Sequence, residues 1–275
     1  MTEEERYLFD LQGYLVLRRV LPAVMVCQLN AEIDELESLA DEEAAARGVA
    51  RRHTTGSIYA KVGAQPEKGS GDYTCDILKA GGAFEELIDW PGTLPYIEEM
   101  IGEPCRLDAA TFMARHGGGG FKFHHGYAEL LPYSEYSFEN GQFKCVSVKI
   151  SYALSDVGVE DGCFAVIPGS HKSNYLNPLV GQIPDPNHPL VQALPAEAGD
   201  AILFSEDLSH GAVENRGCRV RRTLFYSYAP AFHAAWGRMA DVAEGFERRA
   251  NPRRIALAKG PSPFAHRGAS QVSVR

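Results

Sequence analysis

Three stretches of this chain place residue types that can hold a metal and a carboxylic acid. His124-His125-Gly126 closes a β-prone run that follows four glycines, Gly117 to Gly120. His210 opens a later β-prone run, and Arg221 and Thr223 sit in the run after that. Two imidazoles from separate strands, with a carboxylate near the first, make the facial set that holds non-haem iron(II) and leaves positions open for dioxygen and a chelating co-substrate. An arginine enclosed by the same strands grips a carboxylate through two parallel hydrogen bonds. Either His124 or His125 can supply the first imidazole, and Glu129 is the nearest carboxylate. Histidines this far apart are more often separate core side chains, so the weight falls on the residues around them.

Those residues must be positioned by strands. From about residue 105 the texture becomes short β-prone runs at 107–115, 121–125, 143–154, 163–167, 201–204, 210–214 and 220–228, divided by Gly, Pro, Asn and Asp. Such spacing without intervening helical periodicity predicts an antiparallel sandwich or barrel. Val146, Val148, Ile150 and Tyr152 alternate with Ser147, Lys149 and Ser151, which predicts a strand with one face turned to a site or to water. On one continuous strand Arg221 and Thr223 would face away from His210, but the loop 214–219 resets the register. Ahead of this region, Gly13 to Leu17 is β-prone. Pro22 precedes an apolar stripe of Val26, Leu29, Ile33, Leu36 and Ala40, a helix expected to end near Gly48. A second helix is expected over 84–101 with a break near Pro91, and a last one over 235–249. Between the first two helices, 50–82 is polar and glycine-rich, a lid-like loop whose Arg51, Arg52, His53 and Lys61 could reach an anion.

Composition sets the outer bounds. The 275 residues are 45% hydrophobic and 23% charged, ordinary globular usage, and suffice for a sizeable core. A net charge of −9 disfavours nucleic acid. No run approaches the ~18 apolar residues of a membrane span, and the opening Met1-Thr2-Glu3-Glu4-Glu5 is acidic where a secretory leader would be basic, so a cytoplasmic protein is expected. Six cysteines without a C-x-x-C pair read as reduced thiols rather than a zinc ribbon. Residues 247–275 hold seven basic side chains against Glu247 alone, a tail that could close over an anionic substrate, pack on the acidic body or stay solvated. The glycine run lacks the pattern of a phosphate-binding loop.

Taken together, Gly13-Tyr14-Leu15-Val16-Leu17, Asp161-Gly162-Cys163, Pro168-Gly169-Ser170-His171, Gly199-Asp200-Ala201-Ile202-Leu203-Phe204, His210 and Arg221-Arg222-Thr223 resemble the phytanoyl-CoA dioxygenase family of Fe(II)/2-oxoglutarate oxygenases. The resemblance covers most of residues 10–230. It implies a mainly β fold with flanking helices around a double-stranded β-helix, the jelly-roll or cupin-like core. It also implies a single domain over 1–275, with a helical part over 1–103, the jelly roll over 104–230 and a C-terminal helix and basic tail over 231–275. Fe(II) and 2-oxoglutarate are the implied cofactors, and a small molecule the implied partner; the oligomeric state stays open. Position by position, His210 becomes the distal ligand and Arg221 the anchor of the 2-oxoglutarate carboxylate, with Thr223 a second contact. The resemblance makes His171 structural, pinning its turn with Ser170. No catalytic group is implied beyond the metal centre.

The proximal motif departs from the family pattern. Phe123-His124-His125-Gly126 lies over aromatic-His-x-Asp with Gly126 in the acid's place; a shift by one makes His125 the ligand and puts Tyr127 there. Three readings stay open. Glu129 supplies the third ligand of an ordinary hydroxylase; or the third position holds water or chloride, as in the halogenases that carry His-x-Gly or His-x-Ala; or both His124 and His125 contribute, or iron is lost and the chain is a silent binding protein. Tyr59, Lys61, Arg115, Lys122 and Lys149 are the candidates to line a substrate pocket, and their convergence would imply an anionic substrate.

Overall fold

Alternation along the strands sorts side chains between two environments, and that sorting builds the layers. The computed structural model describes residues 1–53, 73–102, 104–125, 136–234 and 240–262. Its strands are β1 (Tyr14–Leu17), β2 (Arg52–His53), β3 (Tyr73–Asp76), β4 (Cys105–Arg115), β5 (Phe121–His124), β6 (Ser137–Glu139) and β7 (Gln142–Lys144). They continue with β8 (Val148–Ala153), β9 (Phe164–Val166), β10 (Gln192–Leu194), β11 (Ala201–Ser205), β12 (His210–Ala212) and β13 (Arg221–Pro230). Among the described residues, the large sheet runs β1-β11-β8-β13-β4-β3-β2 and the small one β10-β9-β12-β5, every pair antiparallel. This is the jelly roll that the strand spacing and the resemblance predicted.

One face of the large sheet packs on helices. Val148, Ile150 and Tyr152 of β8, with Leu224, Tyr226 and Tyr228 of β13, enter a core shared with Leu29 and Ile33 of the helix Ala23–Glu37 and with Ile97 and Met100 of the helix Leu94–Ile101. Burying each large side chain there contributes about 1.5–3 kcal/mol. The tyrosines also satisfy their hydroxyls: Tyr226 donates to the Phe84 carbonyl at 2.6 Å and Tyr228 to that of Ile88 at 2.9 Å. The intervening residues point between the sheets, where Tyr14, Ile202 and Phe204 meet Phe164, Val166 and Leu208. Lys149 lies on that inner side, the site-facing side read from the alternation of 146–152.

Gly13 shows why the Gly13 to Leu17 opening and the Pro168 to His171 turn occur together. Gly13 ends the first helix at φ +84, and a Cβ there would lie 2.5 Å from the His171 ring. The Gly169 N–H donates to the Gln12 carbonyl, so the two segments form one joint. Ser170 pins the turn as expected: its Oγ accepts from the Ser209 N–H at 2.8 Å, next to His210. His171 is buried edge-on to Tyr136, and its ring nitrogens bond nothing among the described residues; it fills space rather than tying the turn.

Several boundaries differ from expectation. The run 143–154 is broken: β7 pairs with β6 across a tight turn with Asn140 and Gly141 at positive φ, and β8 starts only at Val148. The helix expected to reach Gly48 is two, Ala23–Glu37 and Asp41–Ala46. The last helix begins at Phe246, after Gly245 at φ +73, and a further one spans Pro252–Leu257 behind an Asn251 cap. Residues 240–245 are not helical.

The described part of the basic tail packs on the acidic body. Arg249 pairs with Glu85, Arg253 with Glu98 and Arg254 with Asp89. Arg51 is likewise structural: it donates to the Leu36 and Leu39 carbonyls and pairs with Asp41. No helix among the described residues is long and apolar enough to cross a membrane. The six cysteines form no disulfide.

Candidate metal and co-substrate site

β5 and β12 bring His124 and His210 into register as direct cross-strand partners, with ring centroids 4.0 Å apart. Phe121 lines the same cavity as His124 although the two are three positions apart, which strict alternation would forbid. A bulge resolves this. The pairs His210–His124 and Ala212–Phe121 set two steps on β12 against three on β5, so His124 turns inward. The strands can approach this closely because Gly211 has no side chain; a Cβ there would stand 2.5 Å from the Phe121 carbonyl.

Backbone carbonyls fix both imidazoles. His210 Nδ1 lies 2.7 Å from the Leu208 oxygen and His124 Nδ1 3.0 Å from the Lys122 oxygen. A carbonyl only accepts, so each Nδ1 carries the proton and each lone pair is on Nε2, the tautomer a metal needs. Burial holds both rings in the neutral form: His124 is pushed down to about 4, and His210 falls well below the usual range, with His124 and the Lys149 ammonium adding to the effect. His125 lies one residue beyond the strand and does not line the cavity. Glu129, Gly126 and Tyr127 lie outside the described residues, as do Tyr59 and Lys61. Among the described residues, no three His, Cys, Asp or Glu side chains are disposed to hold a metal ion.

Arg221 faces the histidines from the opposite sheet. His210 and Arg221 belong to different sheets, so the loop between them turns a same-strand mismatch into a face-to-face placement. The guanidinium is buried; it donates from Nη1 to the Gly162 carbonyl at 2.7 Å and from Nε to Thr223 Oγ1 at 3.1 Å. Thr223 thus orients Arg221 and is not itself among the residues lining the cavity. Arg221 forms no ion pair with a described carboxylate, and burial followed by the neighbouring Arg115 charge lowers its pKa to about 10. An enclosed cation in that state favours an anionic ligand. Arg115 is its cross-strand partner on β4, stacks over Phe121 at 4.9 Å and donates to the Gly120 carbonyl.

Of the other pocket candidates, Arg115 and Lys149 line the cavity, whereas Lys122 is exposed outside it. Phe164, Phe204 and Phe225 form the apolar wall; the first two lie within or beside the motifs that carry the resemblance, and no motif singled out Phe225. Glu206 was also missed. It is buried and accepts from Lys149 Nζ at 2.7 Å. Its signal was available: two residues beyond Phe204 on the same alternation, four before His210.

The phytanoyl-CoA dioxygenase family model matches residues 9–223, most of the chain. This protein belongs to that family. It is therefore an Fe(II)/2-oxoglutarate-dependent dioxygenase, and the neutral imidazole pair and the enclosed guanidinium are chemically suited to a divalent metal and a dicarboxylate. Among curated relatives, dioxygenase olcK of Penicillium canescens is 24% identical over 87% of this chain and 74% of its own. In fold, HygX from Streptomyces hygroscopicus, solved with nickel and 2-oxoglutarate, aligns at TM-score 0.69 and 23% identity over 91% of this chain and 95% of its own. The epimerase SnoN from nogalamycin biosynthesis aligns at TM-score 0.62 and 20% identity over 95% and 94%.

Proposed function

We propose that this dioxygenase hydroxylates an unactivated C–H bond of a small metabolite, with His124 and His210 as the histidine ligands of Fe(II) and Arg221 as the anchor of 2-oxoglutarate. The observation that carries the reading is the cross-strand imidazole pair, both lone pairs on Nε2, facing a buried arginine without a described carboxylate partner. When bound, iron and 2-oxoglutarate supply dioxygen activation coupled to decarboxylation of the keto acid to succinate and CO2. The chain's own work is placement. His124 and His210 would hold the metal at the cavity wall, Leu208 and Lys122 carbonyls keeping their rings from turning. Arg221, steadied by Gly162 and Thr223, would take the far carboxylate of the keto acid, and Arg115 beside it raises the positive potential there. Phe121, Phe164, Phe204 and Phe225 would exclude water from the reacting centre. Lys149 lines the same cavity and, though paired with Glu206, adds to the reading of a substrate carrying an anionic group.

Halogenation is the second reading, favoured by Gly126 at the acid position; among the described residues no carboxylate is gathered with the two histidines as the structure stands. One experiment tests both. Anaerobic titration with Fe(II) and then 2-oxoglutarate should give a saturable visible charge-transfer band at one equivalent. Chloride that perturbs this band, together with chlorinated product in a turnover assay, would select the halogenase. No band and no retained iron would overturn the oxygenase assignment.

A further inference from the structure

Glu206 continues the inner face of β11. Its N–H donates to the Ser147 carbonyl, extending the β11–β8 pairing beyond Ser205, and it lies two residues past Phe204, whose ring is 4.8 Å from that of His210. It is only 5% exposed. Oε1 accepts from Lys149 Nζ, but the buried Oε2 has no hydrogen-bond partner among the described residues. A carboxylate oxygen left buried without a partner is costly, and such atoms mark a strained or functional position, or an ion that belongs there. Lys149 links Glu206 to the histidines: it lines the cavity with His124 and His210 while its ammonium donates to Glu206. One lysine thus touches both the buried carboxylate and the cavity that holds the imidazole pair.

We propose that Glu206 supplies the metal centre with the carboxylate that the His124-x-Gly126 segment lacks, replacing an acid two residues after the proximal histidine by one four residues before the distal histidine. The proposal rests on the reading of His124 and His210 as ligands. With Oε1 on Lys149 the three donors are not gathered, so binding involves exchange of the ammonium for the metal by rotation of the Glu206 side chain. The exchange frees Lys149 for an anionic group of co-substrate or substrate. It also places a carboxylate, rather than halide, beside the iron, which favours hydroxylation.

The test is metal affinity in the full-length protein, measured by anaerobic Fe(II) titration and by the d–d absorption of the Co(II) form. Glu206→Gln, isosteric and still able to accept from Lys149, should weaken Fe(II) binding at least about 10-fold and change the Co(II) spectrum. Lys149→Met should hold or strengthen metal binding, since it releases the carboxylate. The double variant Lys149→Met/Glu206→Gln removes the ion pair as a unit and keeps the fold testable; it should bind metal as weakly as Glu206→Gln. A structural ion pair would behave otherwise: both single variants would lower thermal stability and leave Fe(II) affinity and the Co(II) spectrum unchanged, which overturns the proposal. His210→Ala is the control. If it loses metal while Glu206→Gln does not, only the Glu206 inference fails; if it too binds normally, the metal-site reading fails with it.

Discussion

His124 and His210 are direct cross-strand partners at the one place where β5 and β12 slip register, and the slip is what aims His124 into the cavity. Each ring is held by a backbone carbonyl. Ring orientation therefore survives most side-chain substitutions nearby, and the effect of removing each histidine can be read directly. His124→Ala and His210→Ala should each lower Fe(II) affinity by about 100-fold or more, whereas His125→Ala should change it less than about 3-fold. Anaerobic titration, with circular dichroism to verify folding, checks this; equal losses from His124→Ala and His125→Ala would restore the two-histidine proximal reading.

Arg221 and Thr223 should separate binding from orientation. Arg221→Met should weaken 2-oxoglutarate binding to the Fe(II) form by about 100-fold, in line with the ~2–5 kcal/mol cost of removing one partner of an enclosed charge pair. Thr223→Val leaves the charge but removes the acceptor for Arg221 Nε, a loss of about 1–2 kcal/mol. Its effect should be about 10-fold on 2-oxoglutarate affinity and none on Fe(II) affinity. The charge-transfer band reports both.

Gly13 and His171 should be coupled. Gly13→Ala forces a Cβ against the imidazole at φ +84 and should cost about 1–3 kcal/mol. Pairing it with His171→Ala should recover part of that loss, leaving the cost of the positive φ. Denaturant unfolding of the two singles and the double measures the coupling; strict additivity would deny the contact.

Acid should weaken the fold through His171. Burial, with Lys172 adding, depresses it to about 4, against the pull of the Asp10 carboxylate; Tyr136 packs on its ring. Between pH ~6.5 and ~4 the unfolded chain takes up a proton that the native state refuses, so stability falls as pH falls through that window and levels below it. The contribution is on the order of 2–3 kcal/mol. His171→Phe should make the apo-protein's stability profile shallower over that range, leaving the share of the buried His124 and His210.

Arg249 should matter more than an ordinary surface arginine. Its partner Glu85 is buried, and Arg249→Ala would leave that carboxylate without its guanidinium. A lower melting temperature is expected, because the buried carboxylate loses its counter-charge. Arg216→Ala, whose Glu214 partner is exposed, should change little.

What the sequence by itself determined was the class of molecule and the chemistry's raw material. The alternation through 146–152 has no helical interpretation, so the site-facing Lys149 was legible. The Gly13 to Leu17 and Pro168 to His171 words, His210, and Arg221 with Thr223 were legible because each is a local pattern. Tertiary structure decided what depends on pairing between distant strands. The choice of His124 over His125 at the cavity rests on a one-residue bulge against β12, and a bulge is set by the partner strand. That Arg221 faces His210 depends on their lying in opposed sheets. Thr223 became a brace for Arg221 because a buried guanidinium takes the nearest acceptor. Glu206 stayed hidden in the sequence because its meaning lies in burial, a lysine on the neighbouring strand and an unsatisfied oxygen, none of which is a property of local residue order.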